Sequence, residues 1–317
     1  MPHPVVELHA PWGEDAIAAI RDRHDLRIFD RQRDAEPQFQ GVEVVVDLGS
    51  NISGELVEVA ARAGVKLVHA QTNGLDHVAV DQITSAGMLL AHCPGKLSSE
   101  ALAEATMMFI LMLSRRYGEA QINIANRKCF SPAGFELSGR KLGLVGFGAS
   151  GQEVARRAKA FGMHIMATDV RAIEPEVLDE IAPEFLCGPD ALDRVVAESD
   201  YLSLHLLLND KTRHIMDARR IGLMQPTACL INVARGELVD ETALCEALVE
   251  NRIGGAGLDV FAEEPPDPTR PAYQLPNVFV MPHTAGATDG TSRNRALFAA
   301  DNLDRYARGE EILARVG

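Results

Sequence analysis

The chain has 317 residues, 46% hydrophobic and 24% charged, and a formal net charge of −14. That length suggests two domains, each able to bury its own core, in an ordinary soluble globular protein. The acid excess argues against nucleic acid or an anionic membrane as the main partner, so an anionic substrate would need local cations.

The N-terminal stretch "MPHPVVELHAPWGED" has no basic segment followed by an apolar one, so no signal peptide is expected. Five β-rich runs follow, "PVVEL", "LRIFD", "EVVVD", "KLVHA" and "MLLAH", with amphipathic stretches such as "SGELVEVAARAG" between them. A Pro-Gly pair in "HCPGKLSS", residues 92–99, then breaks the pattern, and Ser98 or Ser99 is placed to cap the next helix. That helix carries the apolar run "ATMMFILML" to about Ser114. The run is far shorter than a membrane span and reads as a buried helix. Six further strand-like runs come next: "KLGLVGFG", "HIMATD", "YLSLHL", "ACLINV", "GAGLD" and "NVFVM". Helical stretches such as "GQEVARRAKAFG" and "DETALCEALVENR" separate them. Such alternation predicts an α/β fold with parallel sheets covered by helices on both faces. Eleven strands are too many for one comfortable sheet, so two domains are expected, divided near residue 98. The last stretch, "TSRNRALFAADNLDRYARG", reads as an amphipathic helix, and its periodicity leaves open whether it returns to the first domain.

Five cysteines, Cys93, Cys129, Cys187, Cys229 and Cys245, are dispersed, odd in number and without a C-x-x-C spacing. This pattern fits reduced thiols in a cytoplasmic protein. His69, His77 and His92 lack metal-ligand spacing and no H-E-x-x-H occurs, so no metal site is expected.

"GFGASG" sets Gly146, Gly148 and Gly151 in G-x-G-x-x-G spacing, with Ala149 and Ser150 between them. A strand precedes it and a helix follows, as a dinucleotide-binding turn requires. The first glycine permits the tight turn, the second lets the backbone approach a pyrophosphate, and the third lets helix and strand pack closely. The helix start adds free N–H groups and a partial positive charge for the anion. Asp169, ending "HIMATD", can accept hydrogen bonds from an adenosine ribose and repel a 2′-phosphate, which favours NAD. Arg171, two residues on, is the residue able to serve the phosphate of NADP. His205, in "YLSLHLLL", reads as a strand-end residue near the cofactor.

Three further clusters lie just after strands. "ACLINVARGELVDE" places Arg235 there, "GAGLDVFAEEPP" places Asp259, Glu263 and Glu264, and "NVFVMPHTAGAT" places His283. Singly, each is more often an exposed loop charge. Together, beside a dinucleotide fingerprint and at the edge where open parallel sheets bind ligands, they form a candidate catalytic constellation.

The runs "GFGASG…TD", "INVARGELVDE", "GLDVFAEEP" and "PHTAGAT" resemble the D-isomer-specific 2-hydroxyacid dehydrogenase family. "NISGELVEVAARAGVKLVHAQTNGLDHVAVD" is similar to its first-domain segment ending in a substrate loop, and "PGKLSSEALAEATMMFILMLSRR" to its domain-crossing helix. The resemblance implies two doubly wound parallel-sheet domains: a Rossmann NAD-binding domain at 98–288, and a smaller flavodoxin-like substrate domain from 1–97 and 289–317. It places the active site between them and implies a homodimer through the crossing helix. It makes Arg235 the holder of the substrate carboxylate and carbonyl, His283 the general acid/base and Glu264, rather than its neighbour Glu263, the partner of that histidine. Asp259 would face the nicotinamide. The cofactor contacts it implies are Gly146, Gly148, Ala149, Ser150, Gly151, Asp169, Val233, Arg235, Asp259, His283 and Gly286. The substrate contacts are Asn73, Gly74, Arg235 and His283.

The chemistry agrees with these roles. Reducing a 2-keto acid needs a hydride from the nicotinamide and a proton on the carbonyl oxygen. A histidine titrates near working pH, and an arginine fork matches a planar carboxylate. The sequence departs from the family pattern at Asn73, where a smaller residue is frequent, and at Leu207, where proline is usual. Both bear on the substrate side chain, and neither touches the catalytic trio. No further domain pattern follows the last helix, so no regulatory module is expected. Two alternatives use the same fold: a nucleotide-sensing corepressor, and a dehydrogenase of phosphite or formate. Asn73 offers no extra cation for phosphite, and a formate-type site pairs its histidine with an amide rather than a carboxylate.

Overall fold

The computed structural model describes residues 4–8, 13–48 and 52–316. The chain divides into two compact units, Met1–Ser98 with Ala287–Gly317, and Ser99–Gly286. The breaks fall one residue later and two residues earlier than those expected from the sequence.

The first unit is built on five parallel strands, β1 (Pro4–Leu8), β2 (Asp25–Ile28), β3 (Val44–Asp47), β4 (Leu67–Ala70) and β5 (Leu89–His92). Their order is β2-β1-β3-β4-β5. Every residue of β3 and β4 is buried, as both faces of a parallel sheet require, which is why these strands read as apolar runs. Strand alternation sends Val45, Val68 and Leu90 to a core with Phe39, Val57 and Ile83. Val44, Val46, Leu67 and Ala91 enter a second core with Ala16, Ile20, Ala296, Ala300 and Leu303. The last three belong to the helix Asp289–Ala307, so the C-terminal helix is part of the first unit. Asp304 of this helix pairs with Arg23 (2.9 Å) and His24 (3.0 Å). Its fully buried Asn302 donates to Leu313 O (3.0 Å) and to His69 Nε2 (3.1 Å) in β4. Burial lowers the His69 pKa to about 4, so the ring accepts that bond as a neutral imidazole.

The second unit holds seven parallel strands: β6 (Lys141–Val145), β7 (His164–Thr168), β8 (Phe185–Cys187), β9 (Tyr201–Leu204), β10 (Cys229–Asn232), β11 (Gly255–Leu258) and β12 (Val278–Val280). Their order is β12-β11-β10-β9-β6-β7-β8. Succession runs one way from β6 to β8 and the other way from β9 to β12. The C-terminal edge at β6 and β9 is therefore a topological switch point, where doubly wound sheets bind ligands. One face is covered by Val195, Ile221, Leu244 and Leu248 against Leu202, Leu230 and Leu258. On the other, Phe109, Ile110 and Leu113 of the helix Ser99–Ser114 pack with Val154 and Ala155 against Leu142, Leu144 and Ile231. Among the described residues no helix is long and apolar enough to cross a membrane.

The sequence reads as eleven strands, and the described residues form twelve. The extra one, β8, is a three-residue edge strand of half-buried residues that pairs only with β7. A run that short carries no readable period. The expected runs also overshoot at their ends. "KLGLVGFG" stops pairing at Val145, yet Phe147 beyond it is fully buried. Burial outlasts the ladder there, so hydrophobicity cannot mark its end.

Candidate active site

The loops leaving the C-terminal ends of β6, β7, β9, β10, β11 and β12 carry the candidate residues of the second unit. After β6 the chain turns at Gly146, whose φ of +96° suits glycine. A Cβ there would fall 2.4 Å from His205 O, and one at Gly151 would fall 2.4 Å from Gly146 O. At Gly148 the nearest atom to such a Cβ is Arg171 Nη2 at 3.6 Å, so the backbone is open to a ligand. The helix Ala149–Ala160 starts there with its free amide groups. Gln152 braces the turn by donating to Phe147 O (3.0 Å). Ser150, in the first turn of this helix, lies with its hydroxyl 3.2 Å from His205 Nδ1.

Asp169 follows β7 and reaches back to this loop. Its Oδ2 accepts from the Phe147 amide (2.8 Å), and its Oδ1 accepts from the Arg171 amide (2.9 Å) and Nε (3.1 Å). Burial alone would raise its pKa. The hydrogen bonds from Arg171 and Phe147 outweigh it and hold the carboxyl below its ordinary value, hence anionic at neutral pH. An open glycine, a helix start and an anionic carboxylate at the second strand's end together fit a dinucleotide carrying no 2′-phosphate.

After β10, the buried Asn232 shapes the turn. Its Oδ1 accepts from the Ala234 amide (3.1 Å), and its Nδ2 donates to Arg235 O (2.8 Å). Val233 sits in the core, so only its backbone faces the edge. Arg235 is extended, with Nη1 donating to Ala234 O (2.8 Å). A Cβ on the next residue, Gly236, would fall 1.9 Å from the Phe261 carbonyl carbon. The loops after β10 and β11 thus lie backbone to backbone.

Asp259 follows β11 and is 1% exposed. Its carboxylate accepts from the Thr284 (2.7 Å) and Ala285 (3.0 Å) amides, and its carbonyl accepts from the His283 amide (2.8 Å). Burial pushes its pKa up against the opposing pull of the Ala285 and Thr284 amides. Both oxygens are thus engaged by the histidine loop, and the sequence offered no sign of this role. Glu264 accepts from the Phe261 amide through Oε1 (3.1 Å) and lies 2.8 Å from His283 Nδ1 through Oε2. The exposed Glu263 makes no hydrogen bond or ion pair with a described residue. His283 has a φ of +56° and its side chain is 47% exposed, leaving the ring open to a ligand. Partly buried Gly286 ends the unit.

The structure therefore brings Glu264, His283 and Asp259 into direct contact, and Asp169 onto the glycine loop. Asn73 and Gly74 belong to the first unit, just after β4. There Thr72 Oγ1 donates to Gly74 O (3.1 Å), and the Asn73 amide lies against Gly95, where a Cβ would approach it to 3.1 Å. Asn232 and the Ser150–His205 contact escaped sequence reasoning, because each depends on which loops meet.

Residues 107–285 match the family model described as D-isomer specific 2-hydroxyacid dehydrogenase, NAD binding domain. A glyoxylate reductase from Aeropyrum pernix is 38% identical over 313 residues, covering 93% of this chain and 90% of that protein. A D-3-phosphoglycerate dehydrogenase from Methanocaldococcus jannaschii is 33% identical over 307 residues, 95% of this chain, which spans 57% of that longer protein. Among solved structures, a D-lactate dehydrogenase from Aquifex aeolicus, complexed with NAD and lactic acid, has a TM-score of 0.81 at 26% identity. The match covers 97% of this chain and 96% of that one.

Proposed function

Because this chain belongs to the D-isomer specific 2-hydroxyacid dehydrogenase family, we propose that it transfers a hydride between NAD and C2 of a small 2-keto acid or its D-2-hydroxy acid. It is an oxidoreductase and its cofactor is NAD. The observation that carries the reading is the 2.8 Å contact of His283 Nδ1 with Glu264, on the sheet edge that also bears Arg235 and the glycine loop.

The bound cofactor supplies the hydride. Arg235 holds the substrate carboxylate through parallel N–H donors. His283 donates Nδ1–H to Glu264 and works through Nε2, giving a proton to the carbonyl oxygen in reduction and removing it in oxidation. Glu264 supports the imidazolium that forms in oxidation. Asp259 holds the histidine loop through its amides. The Gly148 backbone and the helix start take the diphosphate, and Asp169 takes the ribose hydroxyls. Asn73 and Gly74 of the first unit are assigned to the substrate.

The chain is further inferred to be a homodimer. The helix Tyr117–Ala125 buries none of its residues, and Ile122, Ile124 and Phe130 expose apolar surface at 50%, 66% and 107%. Such a patch on a soluble chain calls for a partner. Five free thiols support a cytoplasmic location. The deciding experiment is a panel of 2-keto acids, including glyoxylate and hydroxypyruvate, assayed with NADH and NADPH. Turnover with NADH preferred is expected. Tight NADH binding without turnover of any keto acid would overturn the enzymatic reading in favour of a nucleotide sensor.

A further inference from the structure

We propose that Ser203, His205 and Ser150 form a directed hydrogen-bond relay that holds the Ser150 hydroxyl as a donor toward the cofactor's diphosphate, making His205 a positioning residue of the nucleotide site. The relay rests on the reading of the Gly146–Gly151 turn as the diphosphate cradle. Ser203 lies in β9 and is 0% exposed. Its hydroxyl is 2.9 Å from His205 Nε2 and has no other hydrogen-bond partner among the described residues. The opposite ring nitrogen, Nδ1, is 3.2 Å from Ser150 Oγ.

The direction of these bonds follows from what each group can give and take. A buried donor left without an acceptor is costlier and rarer than a spare lone pair. Ser203 must therefore donate its proton, and His205 Nε2 is the only acceptor on offer among the described residues. Burial lowers the His205 pKa to about 4, so the ring is neutral at pH 7 and carries a single N–H. With Nε2 accepting, that proton sits on Nδ1 and is donated to Ser150 Oγ. The Ser150 proton then has no acceptor among the described residues and is left for an oxygen outside the protein. The opposite tautomer would turn that proton back onto Nδ1 and present lone pairs to an anion. The direction matters at this position, because Ser150 lies two residues past the open Gly148, in the first turn of the helix. The His205 backbone braces the same turn, its carbonyl occupying the space a Cβ on Gly146 would need.

The test uses the full chain labelled with 15N-histidine, with NADH affinity read by fluorescence. Ring nitrogen shifts of the unliganded protein at pH 7 should show His205 as the Nδ1–H tautomer. Ser150→Ala should raise the Kd for NADH about tenfold, the scale of one hydrogen bond to a charged acceptor. Ser203→Ala should mix the tautomers and weaken NADH several-fold with Ser150 untouched. His205→Asn, which returns an N–H near the Nδ1 position, should keep most of the affinity that His205→Leu loses. If His205→Leu does not fold, Ser203→Ala decides. An Nε2–H tautomer in the wild type, or an unchanged Kd in Ser150→Ala, would overturn the relay. A wild type that binds no NADH would instead overturn the cradle reading, with the tautomer still measured independently.

Discussion

His283 holds its place at a cost. A φ of +56° puts an L-residue in the left-handed region, worth roughly 1–3 kcal/mol of strain that the surroundings must offset. Asp259 does this through three contacts with residues 283–285, and Glu264 orients the ring. The pair makes a sharp prediction. The ring gives a proton in reduction and takes one in oxidation, so loss of its carboxylate partner should slow both directions. Glu264→Gln removes the charge, keeps the size and should lower kcat/KM for the keto acid and the hydroxy acid alike. Glu263→Gln should leave both unchanged, and His283→Ala should cost about 100- to 10,000-fold. If the Glu263 variant loses activity while the Glu264 variant does not, the partner has been assigned one residue off. Cofactor binding should behave differently. His205, with its pKa lowered to about 4, protonates only in acid, and Asp169, held below its ordinary value, stays anionic. The Kd for NADH should therefore stay flat from about pH 6 to 8. A Kd that changes over that range would mean that another titrating group serves the nucleotide site.

At the scale of elements, the strands were legible because doubly wound sheets bury both faces and write continuous apolar runs such as Val44–Val46. Their ends were not legible. Phe147 and Leu206 keep the pattern going past the ladder, and the half-buried edge strand β8 breaks it too briefly to be seen. The candidate site shows the same division. Residue identity pointed to Arg235, His283 and the pair Glu263 and Glu264, since few side chains suit those tasks, and the family resemblance chose Glu264. It could not indicate that Asn232 shapes the arginine turn or that Asp259 is filled by the histidine loop. Those depend on loops meeting across neighbouring strands. Gly236 marks one such meeting, because a Cβ there would fall 1.9 Å from Phe261 backbone. Gly236→Ala should force the Arg235 loop away from the loop that bears Glu264, at about 1–3 kcal/mol of stability. It should also lower keto-acid kcat/KM by far more than it changes the Kd for NADH, since the glycine turn after β6 is untouched. Thermal melting and the two affinities check this together. Equal losses in both would point to general unfolding.

At the scale of the whole chain, the connectivity is asymmetric. The second unit, Ser99–Gly286, is one continuous stretch with both of its cores drawn from its own residues. The first unit is interrupted. Its strands come from the first 98 residues, but Ala296, Ala300, Leu303 and Ile312 complete one of its two cores from the far end of the chain. Asn302, fully buried, fastens that return to Leu313 and His69. A fully buried leucine or isoleucine contributes about 1.5–3 kcal/mol. A domain is stable by only about 5–15 kcal/mol in total. Without residues 287–317, residues 1–98 lose the fully buried Leu303, the buried Ile312, the buried alanines Ala296 and Ala300 and the partner of His69. They should not fold alone. Fusing residues 287–317 behind residue 98 through a flexible linker should restore a cooperative melt. Residues 99–286 expressed alone should melt cooperatively and bind NADH with an affinity close to that of the full chain. On the substrate contacts proposed for Asn73 and Gly74, which this fragment lacks, they should turn over no keto acid. Circular dichroism melts and NADH fluorescence on the three fragments are the measurement. A cooperative melt for residues 1–98 would show that the C-terminal helix is an accessory to that core, and keto-acid reduction by residues 99–286 would overturn the substrate contacts proposed for Asn73 and Gly74.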